Sequence, residues 1–143
     1  MKTRILKILP LLMMLAWSGL VRAQIGTTAG SVTTCPGTIV VPVNVTNCTG
    51  VGAISLVLDF DSSKLDYLGY QNLNGALGGG LLVISSSANR VIFSWANGAG
   101  ASPGTATLVE FRFSAVPSTT SLTWDTQTPG NCEYSDVTGV VLA

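Results

Sequence analysis

Apolar and polar residues alternate along most of the chain after residue 23, and β-branched residues dominate the apolar positions. A period of two residues predicts β-strands, because successive side chains of a strand point to opposite faces. Turn-forming sequences such as Cys35-Pro36-Gly37 interrupt the alternation at intervals of about ten residues. The predicted strands span 25–33, 38–46, 51–60, 65–71, 80–86, 90–96, 105–114 and 120–126, and a last apolar stretch covers 137–143. Short strands at this spacing indicate an all-β fold, either a sandwich or a barrel.

The alternation also predicts which side chains form the core. In the strand at 51–60, Ile54, Leu56, Leu58 and Phe60 share one face. The other predicted inward positions are Ile39, Val41, Val43, Val45, Val91, Phe93, Trp95, Val109, Phe111, Phe113, Leu122 and Trp124. Two inner faces rich in large apolar side chains predict two sheets packed about 10 Å apart.

The predicted outer faces of the two sheets differ in polarity. The strand at 105–114 places Glu110 and Arg112 outside, together with Leu108. The strands at 51–60 and 90–96 instead place small or apolar residues outside, namely Ala53, Ser55, Val57, Ile92, Ser94 and Ala96. An uncharged outer face is unusual for a sheet that contacts only water. Such a face either binds a partner or is covered by a loop or a neighbouring domain.

The first 23 residues have the pattern of a secretory signal peptide. Lys2, Arg4 and Lys7 precede the apolar run 8–20, and Val21-Arg22-Ala23 has small residues where a signal peptidase cleaves. An uncleaved N-terminal anchor is the alternative. Cleavage would leave residues 24–143 as one domain that is secreted to the extracellular space or the cell surface, without membrane attachment.

Composition further limits the classes of function. Residues 24–143 contain three basic residues, Lys64, Arg90 and Arg112, against seven acidic residues. Nucleic-acid binding needs clustered Lys and Arg, so we exclude it. The chain has no histidine, which excludes a His-containing catalytic triad.

The order of the strand sequences resembles the cohesin family. The resemblance is carried by TIVVPVNVTN, then GVGAISLVLDFDSSKLDYLGY, NRVIFSWANG and GTATLVEFRFSA, and it extends from about Thr28 to Ala143. It implies a nine-stranded jelly-roll β-sandwich whose sheets have the family's strand orders 8-3-6-5 and 9-1-2-7-4. The ninth strand is not recognisable, because the sequence after Val140 resembles only the lead-in to it. Either that strand is shifted, or the domain is truncated at its C-terminus and the first strand has an open edge.

The resemblance also implies a function, because cohesins bind a dockerin module of another protein through the outer face of the 8-3-6-5 sheet. By position, the partner-binding face would consist of Ala53, Ser55, Val57, Asp59, Ile92, Ser94, Thr123 and Asp125. Well-studied cohesins have an Asn and an Asp, which bind the dockerin helix, where this chain has Ala53 and Ser55. The expected function is therefore a secreted, non-catalytic scaffold module. It would dock a dockerin-type or other protein in an extracellular polysaccharide-degrading or cell-surface system.

A polysaccharide-binding module is the alternative function. Such modules usually stack sugars on exposed aromatic rings, but Trp95, Trp124 and Tyr67 are predicted to face the core. Tyr70 and Tyr134 are the predicted exposed aromatics. These two scattered tyrosines would form a weak sugar platform.

Catalysis and metal binding have little support. Asp61 begins the sequence Asp61-Ser62-Ser63-Lys64, and we expect its carboxylate to cap that turn. Calcium binding would need six or more oxygen ligands, which Asp59 and Asp61 do not supply. We therefore predict neither an enzyme nor a cofactor.

Three cysteines, Cys35, Cys48 and Cys132, allow at most one internal disulfide. In the fold that the resemblance implies, Cys48 precedes the third strand and Cys132 follows the eighth, at the same end of neighbouring strands. This placement favours a Cys48–Cys132 bridge. A Cys35–Cys132 bridge remains open.

Overall fold

The computed structural model describes residues 24–29, 32–34 and 36–142, with only the backbone at 32–34. The predicted signal peptide at 1–23, Cys35 and Ala143 lie outside the described residues. No helix of the described part is both long and apolar enough to cross a membrane.

The described residues form eleven strands and one 3₁₀ helix, Gly75–Leu77. The strands are β1 Gly26–Thr28, β2 Val32–Thr34, β3 Gly37–Cys48, β4 Val51–Asp59, β5 Leu65–Gln71, β6 Leu81–Ser87, β7 Arg90–Ala101, β8 Gly104–Ala115, β9 Ser118–Thr120, β10 Thr123–Trp124 and β11 Glu133–Ser135. The predicted strands at 38–46, 51–60, 65–71, 80–86, 90–96 and 105–114 are all present. The predicted strand at 25–33 is divided into β1 and β2, the one at 120–126 contains β10 and the end of β9, and β11 was not predicted.

Two antiparallel sheets form the sandwich. The first sheet has the order β1-β3-β8-β5, and the second has the order β10-β4-β7-β6. β11 pairs with the same edge of β4 as β10, and β2 pairs with β9 in a small separate sheet. The prediction of a jelly-roll sandwich is therefore confirmed. In the family's strand numbering, β1-β3-β8-β5 corresponds to 1-2-7-4 and β10-β4-β7-β6 corresponds to 8-3-6-5. No strand pairs outside β1 in the described residues, because the chain after β11 turns back and Val141 bridges Ser135.

Apolar side chains from both sheets fill the space between them. Phe93, Trp95, Phe111 and Phe113 are each at most 2% exposed, as the alternation predicted. The Trp95 indole N–H donates to the carbonyl of Leu77 at 2.8 Å, which ties the 3₁₀ helix to the core. A β-carbon at Gly80 would lie only 2.2 Å from the Trp95 indole nitrogen, so this close approach requires glycine.

Leu108 corrects the predicted alternation in β8. Val43 pairs with Val109 and Asn44 pairs with Thr107, so Leu108 is an extra residue at a β-bulge. Its side chain is fully buried, although the prediction placed it on the outer face with Glu110 and Arg112. The extra residue of a bulge shifts by one position which residues of the strand point inward, and strict alternation does not predict such a shift.

Two leucine truncations test this assignment of the core. Leu56 is 1% exposed and Leu81 is 73% exposed. We expect Leu56→Ala to lower the free energy of unfolding by about 2 to 5 kcal/mol, because it leaves a cavity. The matched Leu81→Ala should change it by less than about 0.5 kcal/mol. Urea denaturation of residues 24–143 measures both, and equal losses would contradict the assignment.

Candidate functional site

The pairing registers place the outward side chains of the second sheet in four rows, because paired residues of antiparallel strands point to the same side. From the β11 or β10 edge towards β6, the rows are Ser135-Ala53-Ala96-Leu81, Glu133-Ser55-Ser94-Val83, Val57-Ile92-Ser85 and Thr123-Asp59-Arg90-Ser87. We call these four rows the outer face. The face thus gathers the predicted site residues Ala53, Ser55, Val57, Asp59, Ile92, Ser94 and Thr123.

The first two rows form an apolar half of the outer face, in which Glu133 at the β11 edge is the one charged residue. Leu81 and Val83 are 73% and 53% exposed, on the edge strand β6. The small side chains Ala53, Ser55 and Ser94 lie between them and β11, and the resulting shallow groove has a volume of about 330 Å³. In this groove, the exposed apolar side chains of Leu81 and Val83 border a surface formed by the small side chains Ala53, Ser55 and Ser94.

Four residues of this half were missed by the sequence reasoning: Leu81, Val83, Glu133 and Ser135. The sequence of β6 could have identified Leu81 and Val83, because they alternate with the inward residues and lie on the same side of the strand as Ser85. No comparable signal marks β11, because it is only three residues long.

The fourth row forms a charged half. The Arg90 guanidinium bonds Asp59 through Nε–Oδ1 at 2.9 Å and Nη2–Oδ2 at 3.3 Å. The same Nη2 lies 3.5 Å from Oδ2 of Asp125, whose side chain is only 10% exposed. Asp125 also accepts hydrogen bonds from the Asn131 side chain at 2.7 Å and the Thr128 N–H at 3.1 Å. These bonds lower the pKa of Asp125, and the bond from Asn131 has the largest effect.

Val57 corrects the predicted site. It lies on the outer face opposite Ile92, but only 3% of it is exposed, so it offers no contact surface. The chain after β10 runs against β4 here, since the Val57 carbonyl accepts from the Asp125 N–H at 2.9 Å. The Cys132 thiol also donates to it at 3.6 Å. The prediction counted Val57 as a contact residue because alternation places it on the same side of the strand as Ala53 and Ser55.

The aromatic side chains do not form a platform. Tyr134, predicted to be exposed, is 2% exposed, and its hydroxyl hydrogen-bonds the Thr27 hydroxyl at 2.5 Å. Burial raises its pKa. Tyr134 belongs to β11, which pairs with β4 so that its ring faces the core. Tyr70 is 47% exposed, and it is the one aromatic side chain among the large exposed apolar residues of the described part.

The cysteines also correct a prediction. Cys48 and Cys132 are free thiols, so the Cys48–Cys132 bridge is absent, and Cys35 lies outside the described residues. Cys48 is fully buried where β3 meets β8 in the first sheet. Cys132 adjoins β4 of the second sheet, where its thiol bonds Val57. Burial raises the pKa of Cys48 to about 11 and also raises that of Cys132.

Asp61 caps its turn as predicted. Its carboxylate accepts from the Ser63 N–H at 3.0 Å and the Ser63 hydroxyl at 2.6 Å, and it pairs with Lys64 at 3.2 Å. The Ser63 bonds lower the pKa of Asp61. Within the described residues, no three His, Cys, Asp or Glu side chains converge as metal ligands.

Comparison with known proteins gives a consistent family. A family model described as Cohesin domain matches residues 25–138. The non-cellulosomal cohesin of the archaeon Archaeoglobus fulgidus superposes with a TM-score of 0.70 at 22% identity, over 85% of this chain and 84% of that one. A cohesin of Clostridium acetobutylicum superposes with a TM-score of 0.68 at 16% identity, covering 85% and 84%.

A type I cohesin–dockerin complex from Clostridium thermocellum has a TM-score of 0.65 at 12% identity, covering 85% of this chain and 92% of that chain. At these identities the superpositions show a shared fold. No curated protein sequence matches the chain significantly.

The thiols give a testable prediction. Native protein at pH 8 should leave Cys48 unmodified by iodoacetamide, because burial and a raised pKa suppress its thiolate. Non-reducing peptide mapping should recover the Cys48 and Cys132 peptides unlinked, and denaturation should expose both thiols to the reagent. A linked pair of these peptides would contradict the free-thiol assignment.

Asp125 gives a further prediction, on the pH dependence of stability. Its pKa is lower when folded, so its contribution to stability is present above its unfolded pKa of about 3.9 and is lost as the pH falls through the folded value. The melting temperature of wild type should therefore exceed that of Asp125→Asn at pH 6, and the difference should close towards pH 2. A difference that is constant across this range would contradict the bonding of the Asp125 carboxylate.

Proposed function

The chain belongs to the cohesin domain family, and on that basis we propose that residues 24–143 form a non-catalytic module that docks a dockerin of another protein. The solved dockerin complex of a type I cohesin supports this choice of partner. The outer face is the proposed docking surface, with Ala53, Ser55, Ile92 and Ser94 as its floor.

The apolar half of the outer face carries this proposal. Exposed Leu81 and Val83 lie beside Ala53, Ser55 and Ala96. The short side chains of these three residues project little from the sheet, so a partner can approach its backbone closely there. A helix with an apolar stripe can approach such a floor closely and bury the two exposed side chains. Burying each of them from water would contribute about 1.5 to 3 kcal/mol at most.

The charges at the edges of the face would orient the partner. Glu133 ends the second row and is in no ion pair within the described residues. Arg90 is occupied by Asp59 and Asp125, so the charged half carries a net negative charge. We expect a partner with basic residues towards these positions. Because Ala53 and Ser55 replace the Asn and Asp of well-studied cohesins, contact at the centre relies on shape and apolar surface.

We propose that the module is secreted and acts outside the cell, in a polysaccharide-degrading or cell-surface assembly. The signal-peptide pattern of residues 1–23 supports export. The alternative, a polysaccharide-binding module, has less support, because Trp95 and Tyr134 are buried and Tyr70 is isolated as an exposed ring. Retention in affinity gels that contain insoluble or soluble glycans would favour that alternative.

Binding to a panel of purified dockerin modules, measured by biolayer interferometry, tests the docking surface. We expect Ser94→Arg and Leu81→Arg to weaken binding about tenfold or more, because each places a charge in the apolar half. Ser114→Arg is the matched control, since Ser114 is exposed on the outer side of the first sheet.

Unchanged affinity in both outer-face variants would move the site elsewhere on the domain. Equal loss in Ser114→Arg would indicate a general effect of added charge. If wild type binds no dockerin of the panel, the dockerin proposal fails.

A further inference from the structure

The chain between β10 and β11 forms a loop beside the outer face. Residues 126–131 have the sequence TQTPGN, carry no charge, and are exposed except for the partly buried Asn131. The loop is internally bonded, since the Asn131 N–H donates to the Thr128 carbonyl at 3.1 Å. Gly130 has a φ of +86°, a left-handed conformation that favours glycine. We call residues 126–131 the rim loop.

Two carboxylates that flank the rim loop in sequence, Asp125 and Glu133, accept hydrogen bonds from it. Asp125 accepts the Thr128 N–H at 3.1 Å and the Asn131 side chain at 2.7 Å. Glu133, which belongs to the second row of the outer face, accepts the Gly130 N–H at 3.0 Å. Arg90 bonds Asp125 from β7, on the far side of β4. The conformation of the rim loop is therefore tied to side chains of the outer face itself.

The rim loop and β6 lie along opposite edges of the outer face. β10 and β11 pair with one edge of β4, whereas β6 is separated from β4 by β7. A partner that buries Leu81 and Val83 on β6 and crosses β7 and β4 reaches the rim loop next. The loop offers it backbone groups and the uncharged polar side chains of Thr126, Gln127 and Thr128.

We propose that the rim loop determines which dockerin the outer face accepts, and that Asp125 is the positioning residue that holds the loop in its binding conformation. This inference rests on the proposed docking function. Asp125 itself is 10% exposed and fully engaged, so it acts through the loop rather than by touching the partner. A loop that is already ordered loses less conformational entropy on binding, which gives affinity to partners that fit its shape.

Selection from a yeast-displayed library of natural dockerin modules tests the proposal. The library is panned in parallel against immobilised wild type, Asp125→Ala and Asp61→Ala, each as residues 24–143. Asp61 is the matched control, because it also caps a loop through a backbone N–H and a side chain, in the turn that leads from β4 to β5. Each variant is first checked for a cooperative thermal transition.

We expect dockerins selected on wild type to bind Asp125→Ala about tenfold more weakly, through loss of loop order, and to bind Asp61→Ala within about twofold. Gln127→Arg, which leaves the carboxylate contacts intact, should change the ranking of the dockerins. Asp125→Asn keeps an acceptor oxygen for the Thr128 N–H and should restore part of the affinity. Amide exchange at Thr128 and Gly130 should be faster in Asp125→Ala than in Asp61→Ala.

The outcomes separate this inference from the proposed function. If wild type enriches dockerins that bind Asp125→Ala and Gln127→Arg with unchanged affinity and ranking, the role of the rim loop is overturned and the docking function stands. If wild type enriches no dockerin, both are overturned. If Asp125→Ala and Asp61→Ala weaken binding equally, the effect reflects general destabilisation, and the positioning role is overturned.

Discussion

The register between β4 and β7 is the constraint on which the rest of this structure depends. β4 is an interior strand of the second sheet, and it pairs with β7 from Val51 opposite Ala101 to Asp59 opposite Arg90. This register places Ile54, Leu56 and Leu58 in the core and leaves Ala53 and Ser55 outside. A slip of one residue would exchange the two sets, exposing the large side chains and burying the small ones. The composition of the outer face is therefore a consequence of how the core is filled.

Charge has a geometric role in this domain. Lys64 and Arg90, two of the three basic residues in 24–143, are each paired with aspartate. Exposed ion pairs contribute little to stability, with typical values below about 1 kcal/mol. Their contribution here is one of position: Arg90 links β7 and β4 to Asp125, and Asp125 holds the loop that follows β10. The apolar half of the outer face contains no basic residue, so it would complement a partner that has basic side chains.

Much of the fold could be predicted because alternation is a local signal. Ile54, Leu56, Leu58, Val91, Phe93 and Trp95 were all placed correctly in the core, because β4 and β7 pair without a register shift from Ala53 to Asp59. The failures occur where pairing is irregular. The bulge in β8 buries Leu108, and Val57 is buried where the chain after β10 meets β4. Tyr134 was assigned to the surface because a three-residue strand after a turn has too few positions to show a period.

The sequence by itself determined the all-β class, most inward positions of the long strands, the resemblance to cohesins and the small or apolar residues Ala53, Ser55, Ile92 and Ser94 on one outer face. The class and the faces follow from which side chains are apolar at every second position, which neighbouring residues suffice to show, whereas the resemblance rests on the particular strand sequences and their order. Only the tertiary structure decided that Leu81, Val83 and Glu133 join Ala53 and Ser55 on that face, and that Asp125 bonds both Arg90 and its own loop. These groupings join residues distant in sequence, and they depend on strand order and on a β4 edge shared by β10 and β11. Alternation within one strand carries no information about either.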